Sequence, residues 1–256
     1  MSILTESIEI ELGASEPWPR DAQLYEPLET QMLLPDIVRC RAVEAFLNMC
    51  HLDFEVVHRK NAEDMSPSGM VPFVRCGAFI ISELEPIVGF CGTKGHALTE
   101  DLSPRDVADM RAYMALLENT FGNAELYMCW MEDTVYQQFT RPSHESIYPW
   151  PLGQLLTIQK QRHTCQKLKS LDWAEKSTLE VIEDVTEACQ AISEKLARKD
   201  FFCGETPTEL DALAYAHLHT MLTVKFSDDR LAEAVKQHEN LVKFVERITE
   251  TFFTQH

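Results

Sequence analysis

Residues Ser66 to Val88, SPSGMVPFVRCGAFIISELEPIV, constrain this chain more than any other stretch. Val71, Phe73 and Arg75 alternate with Pro72, Val74 and Cys76, which is the period of a strand. Gly77 stops that run, and Ala78 to Ile81 begin a second apolar run. A two-residue Gly-Ala connection between two short strands predicts a hairpin, because glycine takes the positive φ that a tight turn needs. Pro72 has no ladder donor and belongs at a strand start or an edge. Pro86 falls where a helix starts, a place where a missing N–H removes no helical hydrogen bond.

The residues before this stretch continue the pattern. Ala22 to Tyr25 is a short strand closed by Pro27. Pro35 and Asp36 open a helix whose Val38, Ala42, Ala45, Phe46 and Met49 share one face. Phe54 to His58 is a second strand, and Asn61 to Met65 a short helix or irregular connection. Residues 22–92 then run strand, helix, strand, strand, strand, helix, an order that fits a thioredoxin-like domain. Residues 1–21 form an extension in which Ile8, Ile10 and Leu12 alternate with Glu9 and Glu11, and Pro17 and Pro19 end regular structure.

A linker over 93–103 separates this part from residues 104–256, where strand signals stop. Asp106 to Asp133 reads as one long helix with Met110, Tyr113, Met114, Leu117 and Phe121 in phase. Pro142, Pro149 and Pro151 break residues 134–151. Helices follow over Leu152–Leu171, Thr178–Ala197 and Thr206–Leu222, with one or two more over Asp228–Phe253. Thr208 and Asp211 form an N-terminal capping pattern: the Thr208 hydroxyl is placed to accept the Asp211 N–H, and the Asp211 carboxylate to accept the Thr208 N–H. The residues that follow, LDALAYAHLHTML, are apolar nearly all round and predict a buried helix.

Charge excludes some functions. The chain has 23 Lys and Arg against 41 Asp and Glu, a net charge of −18. Nucleic acid binding needs a basic face, and anionic lipid repels an acidic one. Eight cysteines without CxxC spacing match a reducing compartment. No window approaches the roughly 18 apolar residues of a membrane span. The acidic start MSILTESIEIELGASEPW is unlike an Arg-rich presequence.

Few residues suggest chemistry. His217 and His219 lie two apart and point to different faces of a helix, a poor metal pair. No Cys/His spacing resembles a zinc site, and GxSxG, GxxxxGK[ST] and GxGxxG are absent. Met128 to Met131 reads as core. Lys160, Arg162, Lys167 and Lys169 make one helix locally basic, which reads as a solvated face. Tyr148-Pro149-Trp150-Pro151 reads equally as a loop plugging a groove between domains or as a partner contact, since Tyr and Trp anchor interfaces.

NAEDMSPSGMVPF, SELEPIV, YPWPL, QKQ and PTELDAL, in that order over nearly the whole chain, resemble the metaxins. The resemblance implies an α-rich α/β, glutathione-transferase-like fold: an N-terminal thioredoxin-like domain plus a C-terminal all-helical domain, with Pro72 as a cis proline. It implies a non-enzymatic subunit without cofactor on the cytosolic face of the mitochondrial outer membrane. There it would act in the sorting and assembly machinery that inserts β-barrel proteins, beside a β-barrel insertase subunit. Membrane contact would be indirect, through metaxin-1, which carries the anchor. An adaptor linking mitochondria to motor complexes and a divergent glutathione transferase are the alternatives. A glutathione transferase needs a hydroxyl or thiol near the first helix, and Gln31 to Pro35 offer none. Cys40 lies about a turn into that helix, later than the family's position, and Tyr25 lies in the strand. At the third helix Glu83 matches the family's acid, but Leu84 stands in the place of its serine.

Overall fold

The computed structural model describes residues 17–224 and 229–253, so the strand expected at 8–12 and Asp228 lie outside the described residues. Four short strands, β1 (Gln23–Glu26), β2 (Glu55–His58), β3 (Phe73–Cys76) and β4 (Phe79–Ser82), form one sheet in the order β2-β1-β3-β4. β1 and β2 are parallel, which requires a crossover, and helix α1 (Leu34–Met49) supplies it. The short α2 (Ala62–Met65) precedes β3, which is antiparallel to both β1 and β4. Gly77 has φ 59° and makes the two-residue hairpin with Ala78. Phe73 and Val74 are both buried because β3 is an inner strand, so the in-out alternation read from the sequence is lost there. The Val71–Pro72 and Trp150–Pro151 peptides are cis. Helix α3 (Leu84–Thr93) ends this half.

The second half is helical. The single helix expected over 106–133 is instead α4 (Pro104–Leu117), a π turn (Glu118–Gly122) and α5 (Asn123–Trp130). It starts early because the Ser103 hydroxyl accepts the Asp106 N–H at 3.2 Å. The break expected from Pro142 does not occur: α6 (Asp133–Val135), a π turn (Tyr136–Thr140) and α7 (Arg141–Glu145) run through it. Pro142 follows directly on the π turn, and the chain stays helical on both sides of it. The chain leaves helix only after residue 145, before α8 (Leu152–Ser170).

Three more helical segments follow α9 (Thr178–Leu196): α10 (Glu209–Thr223), α11 (Arg230–Lys236) and α12 (Glu239–Phe252). α10 is the centre of the molecule. It packs against α1 across the boundary between the halves and against α4, α11 and α12 within its own. All but three of its fifteen residues are buried, as the all-round apolar sequence requires. On α1 the predicted face of Val38, Ala42, Ala45, Phe46 and Met49 is buried as well. Each large side chain at this joint contributes about 1.5–3 kcal/mol by leaving water.

Candidate functional site

Two adjoining cavities of about 280 and 510 Å³ lie between the sheet half and the helical half. They share Pro35, Arg39, Met70, Leu126 and Lys167 as lining, so they are one groove. The start of α1 forms one wall. There Asp36 accepts the Leu33 N–H at 3.1 Å and pairs with Arg39 at 2.6 Å. Arg39 Nε donates to the Val71 carbonyl at 3.1 Å, so the guanidinium ties α1 to the residue before the cis proline. This cation is already committed to partners within the chain.

The hydroxyl and thiol candidates lie outside the groove. Tyr25 stacks on Phe73 with centroids 4.7 Å apart, and its hydroxyl donates to Gln23 at 3.0 Å. Cys40 is buried under α1, and burial, reinforced by the Glu26 carboxylate, pushes its thiol well above the ordinary range. Tyr148 does line the groove, but its hydroxyl donates to Asp64 at 2.7 Å. Burial, with Asp64 and Glu63 nearby, pushes it up to about 12. None of the three is placed to stabilise a thiolate in the groove.

The start of α3 is equally unsuited to an anion. Glu83 caps the helix with φ 72°, and Leu84 takes the first helical position without a polar atom to offer. Glu83, Glu85, Glu118 and Glu125 all line this end of the groove, against Lys167 and the committed Arg39. A carboxylate ligand arriving at the helix N-terminus would meet like charges in a confined space. Beneath lies a feature the sequence did not reveal: His217 Nδ1 is 2.6 Å from Glu125 Oε1, both fully buried, with Phe121 edge-on to the imidazole. The only sequence signal was a lone acid inside the apolar NAELYMCW run. No three His, Cys, Asp or Glu side chains among the described residues are grouped to hold a metal.

Within the Tyr148–Pro151 segment, Tyr148 lines the groove and the other three residues do not. Tyr148 bridges to Asp64 of α2, and next to it Lys160 pairs with Glu63 at 3.0 Å, so this corner clasps the two halves together. Pro149, Trp150 and Pro151 face outward, Trp150 with 81% of its surface exposed. Gly153 permits the tight corner, because a Cβ there would lie 2.3 Å from the Glu145 carbonyl oxygen.

The cap of α10 is the most connected polar cluster in the core. The buried Asp211 carboxylate accepts the Phe202 N–H and the Thr208 N–H, each at 2.8 Å, and the Thr208 hydroxyl at 2.7 Å. The sequence predicts a hydroxyl that accepts the Asp211 N–H. In the structure that N–H donates to the Thr208 carbonyl at 3.0 Å, and the hydroxyl's strong bond is the one it donates to the carboxylate. Burial raises the Asp211 carboxyl to about 6 even though these donors pull it down. Thr208→Ala is expected to lower stability by about 0.5–2 kcal/mol, and Thr208→Ser to restore most of it. Urea midpoints of the two variants check this; equal midpoints for Ala and wild type would refute it.

Over 254 residues the chain is 44% identical to Metaxin-2 of Homo sapiens, covering 99% of this chain and 97% of that one. The chain belongs to the metaxin family. Residues 40–161 of this metaxin match the family described as outer mitochondrial membrane transport complex protein, and residues 185–248 match the glutathione S-transferase C-terminal domain. It is also 26% identical to Metaxin-1 of Mus musculus over 204 residues, 77% of this chain and 64% of that one. A solved glutathione S-transferase of Ceriporiopsis subvermispora, in complex with glutathione, superposes with a TM-score of 0.61 at 11% identity, covering 90% and 97% of the two chains. That likeness shows the fold of this metaxin: glutathione-transferase-like, with a four-stranded sheet half and a helical half.

Proposed function

We propose that this metaxin is a non-enzymatic subunit of the sorting and assembly machinery of the mitochondrial outer membrane. It sits on the cytosolic face, is held there by a metaxin-1 relative, and supports insertion of β-barrel proteins beside the insertase subunit. The observation that carries this reading is the nearly full-length likeness to Metaxin-2, joined to a family described by an outer-membrane transport complex. The groove supports the non-enzymatic part. It lacks a thiol-activating group at α1 and carries four glutamates where an anionic ligand would sit. Losing one charge-assisted hydrogen bond of about 1.5–3 kcal/mol weakens a ligand by roughly one to two powers of ten. Two further observations support a partner-held subunit. No helix among the described residues is long and apolar enough to cross a membrane, and the chain's charge of −18 disfavours anionic lipid.

The test is flotation of the purified protein with liposomes of outer-membrane composition, with and without membrane-anchored metaxin-1. Flotation is expected only with the partner, and glutathione-agarose is expected to retain nothing. Flotation of the protein alone overturns the partner-held reading. Retention on the resin with a measurable conjugation rate overturns the non-enzymatic one.

A further inference from the structure

The N-terminal half of helix α8 is inside out. The side the helix turns to the protein carries Gly153, Thr157, Thr164 and Leu168, while Leu152, Leu155 and Ile158 are 44%, 61% and 44% exposed. A surface helix ordinarily buries its large apolar side chains and shows its small polar ones to water. Trp150, at the corner before α8, extends the exposed line. Single apolar residues on a surface need no explanation, but a concentrated patch marks an interaction site. Of the ten large apolar side chains exposed among the described residues, five lie between 150 and 171.

The charge of this segment is as unusual as its polarity. Residues 146–171 contain four Lys and Arg, His163 and no Asp or Glu, so the chain's excess negative charge lies wholly elsewhere. Lys160 is paired with Glu63, but Arg162, Lys167 and Lys169 make no ion pair among the described residues. A shallow hollow of about 770 Å³, lined by Leu155, Ile158, Arg162 and His163 among others, joins the apolar end of the helix to the basic end.

We propose that α8 and the Trp150 corner are a docking surface for an acidic segment of a partner protein that carries apolar anchors. Its carboxylates meet Arg162 and Lys169, and its anchors cover Trp150, Leu155 and Ile158. Charge complementarity selects such a segment over an anionic membrane. A few cations contribute about 1 kcal/mol each at an anionic surface. Of the chain's 41 acidic side chains, those brought within about 8 Å of the membrane, the screening length at physiological salt, oppose that approach. A short acidic peptide lying along α8 meets the cations without bringing a charged plane against the rest of the molecule. This deepens the function proposed above and rests on it only for where the partner is found, in the outer-membrane assembly.

The experiment places a photoreactive amino acid singly at positions 155 and 158, with position 179 as control, in full-length protein assembled on outer membranes. Leu179 is 64% exposed on α9 and makes a fair comparison. Adducts are expected from 155 and 158 and not from 179, and sequencing is expected to map them to a segment rich in Asp and Glu with interspersed apolar residues. The double variant Arg162→Glu with Lys169→Glu is expected to lower adduct yield about ten-fold through like-charge repulsion. Its circular dichroism and melting midpoint should match wild type, since both side chains are exposed. Adducts to lipid, adducts to a basic or neutral segment, or none from 155 and 158 overturn the proposal. Copurification of the metaxin-1 relative is scored in the same samples. Its loss counts against the function proposed above, while the adducts alone decide this surface.

Discussion

Asp211→Ala is expected to lower the unfolding free energy of this metaxin by about 2–6 kcal/mol. The carboxylate is buried and accepts two backbone N–H groups and one hydroxyl at the entrance to α10. Alanine removes the acceptor and leaves the Phe202 and Thr208 N–H groups facing a dry interior. Each buried donor left without a partner costs about 1–3 kcal/mol. Domains of this kind are stable by only about 5–15 kcal/mol, so the variant stands close to global unfolding at physiological temperature. The position magnifies the loss, because α10 is the helix on which α1 of the other half packs. Asp211→Asn keeps the volume but can satisfy only one of the two N–H groups, since its own NH₂ must face the other. It is expected to fall between alanine and wild type. Urea denaturation followed by circular dichroism measures all three, and a loss below about 1 kcal/mol for alanine would refute the assignment.

Much of the fold is legible in short-range pattern. The hairpin is written in Gly77 between two apolar runs, the cap of α10 in Thr208 and Asp211, and the buried side of α1 in the spacing from Val38 to Met49. These features are local, and local chemistry decides them. What was not legible depends on contacts far apart in the chain. The pairing of Glu125 with His217 spans 92 residues, and the clasp of Tyr148 on Asp64 spans 84. Each residue alone reads as an ordinary surface or core side chain. The π turns at 118–122 and 136–140 leave no mark on apolar periodicity, and Pro142 misled because the chain stays helical through it directly after the second π turn. On α8 the difficulty is different. Leu152, Leu155 and Ile158 show helical spacing, but spacing does not say which side faces the protein, and at this end of the helix Gly153 and Thr157 do.

Glu26→Gln is expected to stabilise the protein at neutral pH, by on the order of 2 kcal/mol. Glu26 ends β1 with 3% of its surface exposed, and its Oε1 atom finds no hydrogen-bond partner among the described residues. Burial, and then the neighbouring Glu44, raise its carboxyl from an ordinary 4.5 to about 8. Arg41 opposes the rise only in part, since its guanidinium is engaged by Glu44 at 2.9 Å. The folded carboxyl therefore holds its proton more tightly than the unfolded one. Between pH 4.5 and about 8 the folded state binds more protons, so stability falls as the pH climbs through that window. Glutamine does not titrate and carries no charge into the interior. The backbone carbonyl of residue 26 keeps its bond from the Arg59 N–H at 2.7 Å, so the strand end is unchanged. The gain should be absent near pH 4.5, grow through neutrality and level off above pH 8. Urea curves for both proteins at pH 4.5, 6, 7 and 8 measure it. Parallel pH profiles, or a variant less stable than wild type at pH 8, would show that the Glu26 carboxylate is stabilised in the fold by contacts that outweigh its burial.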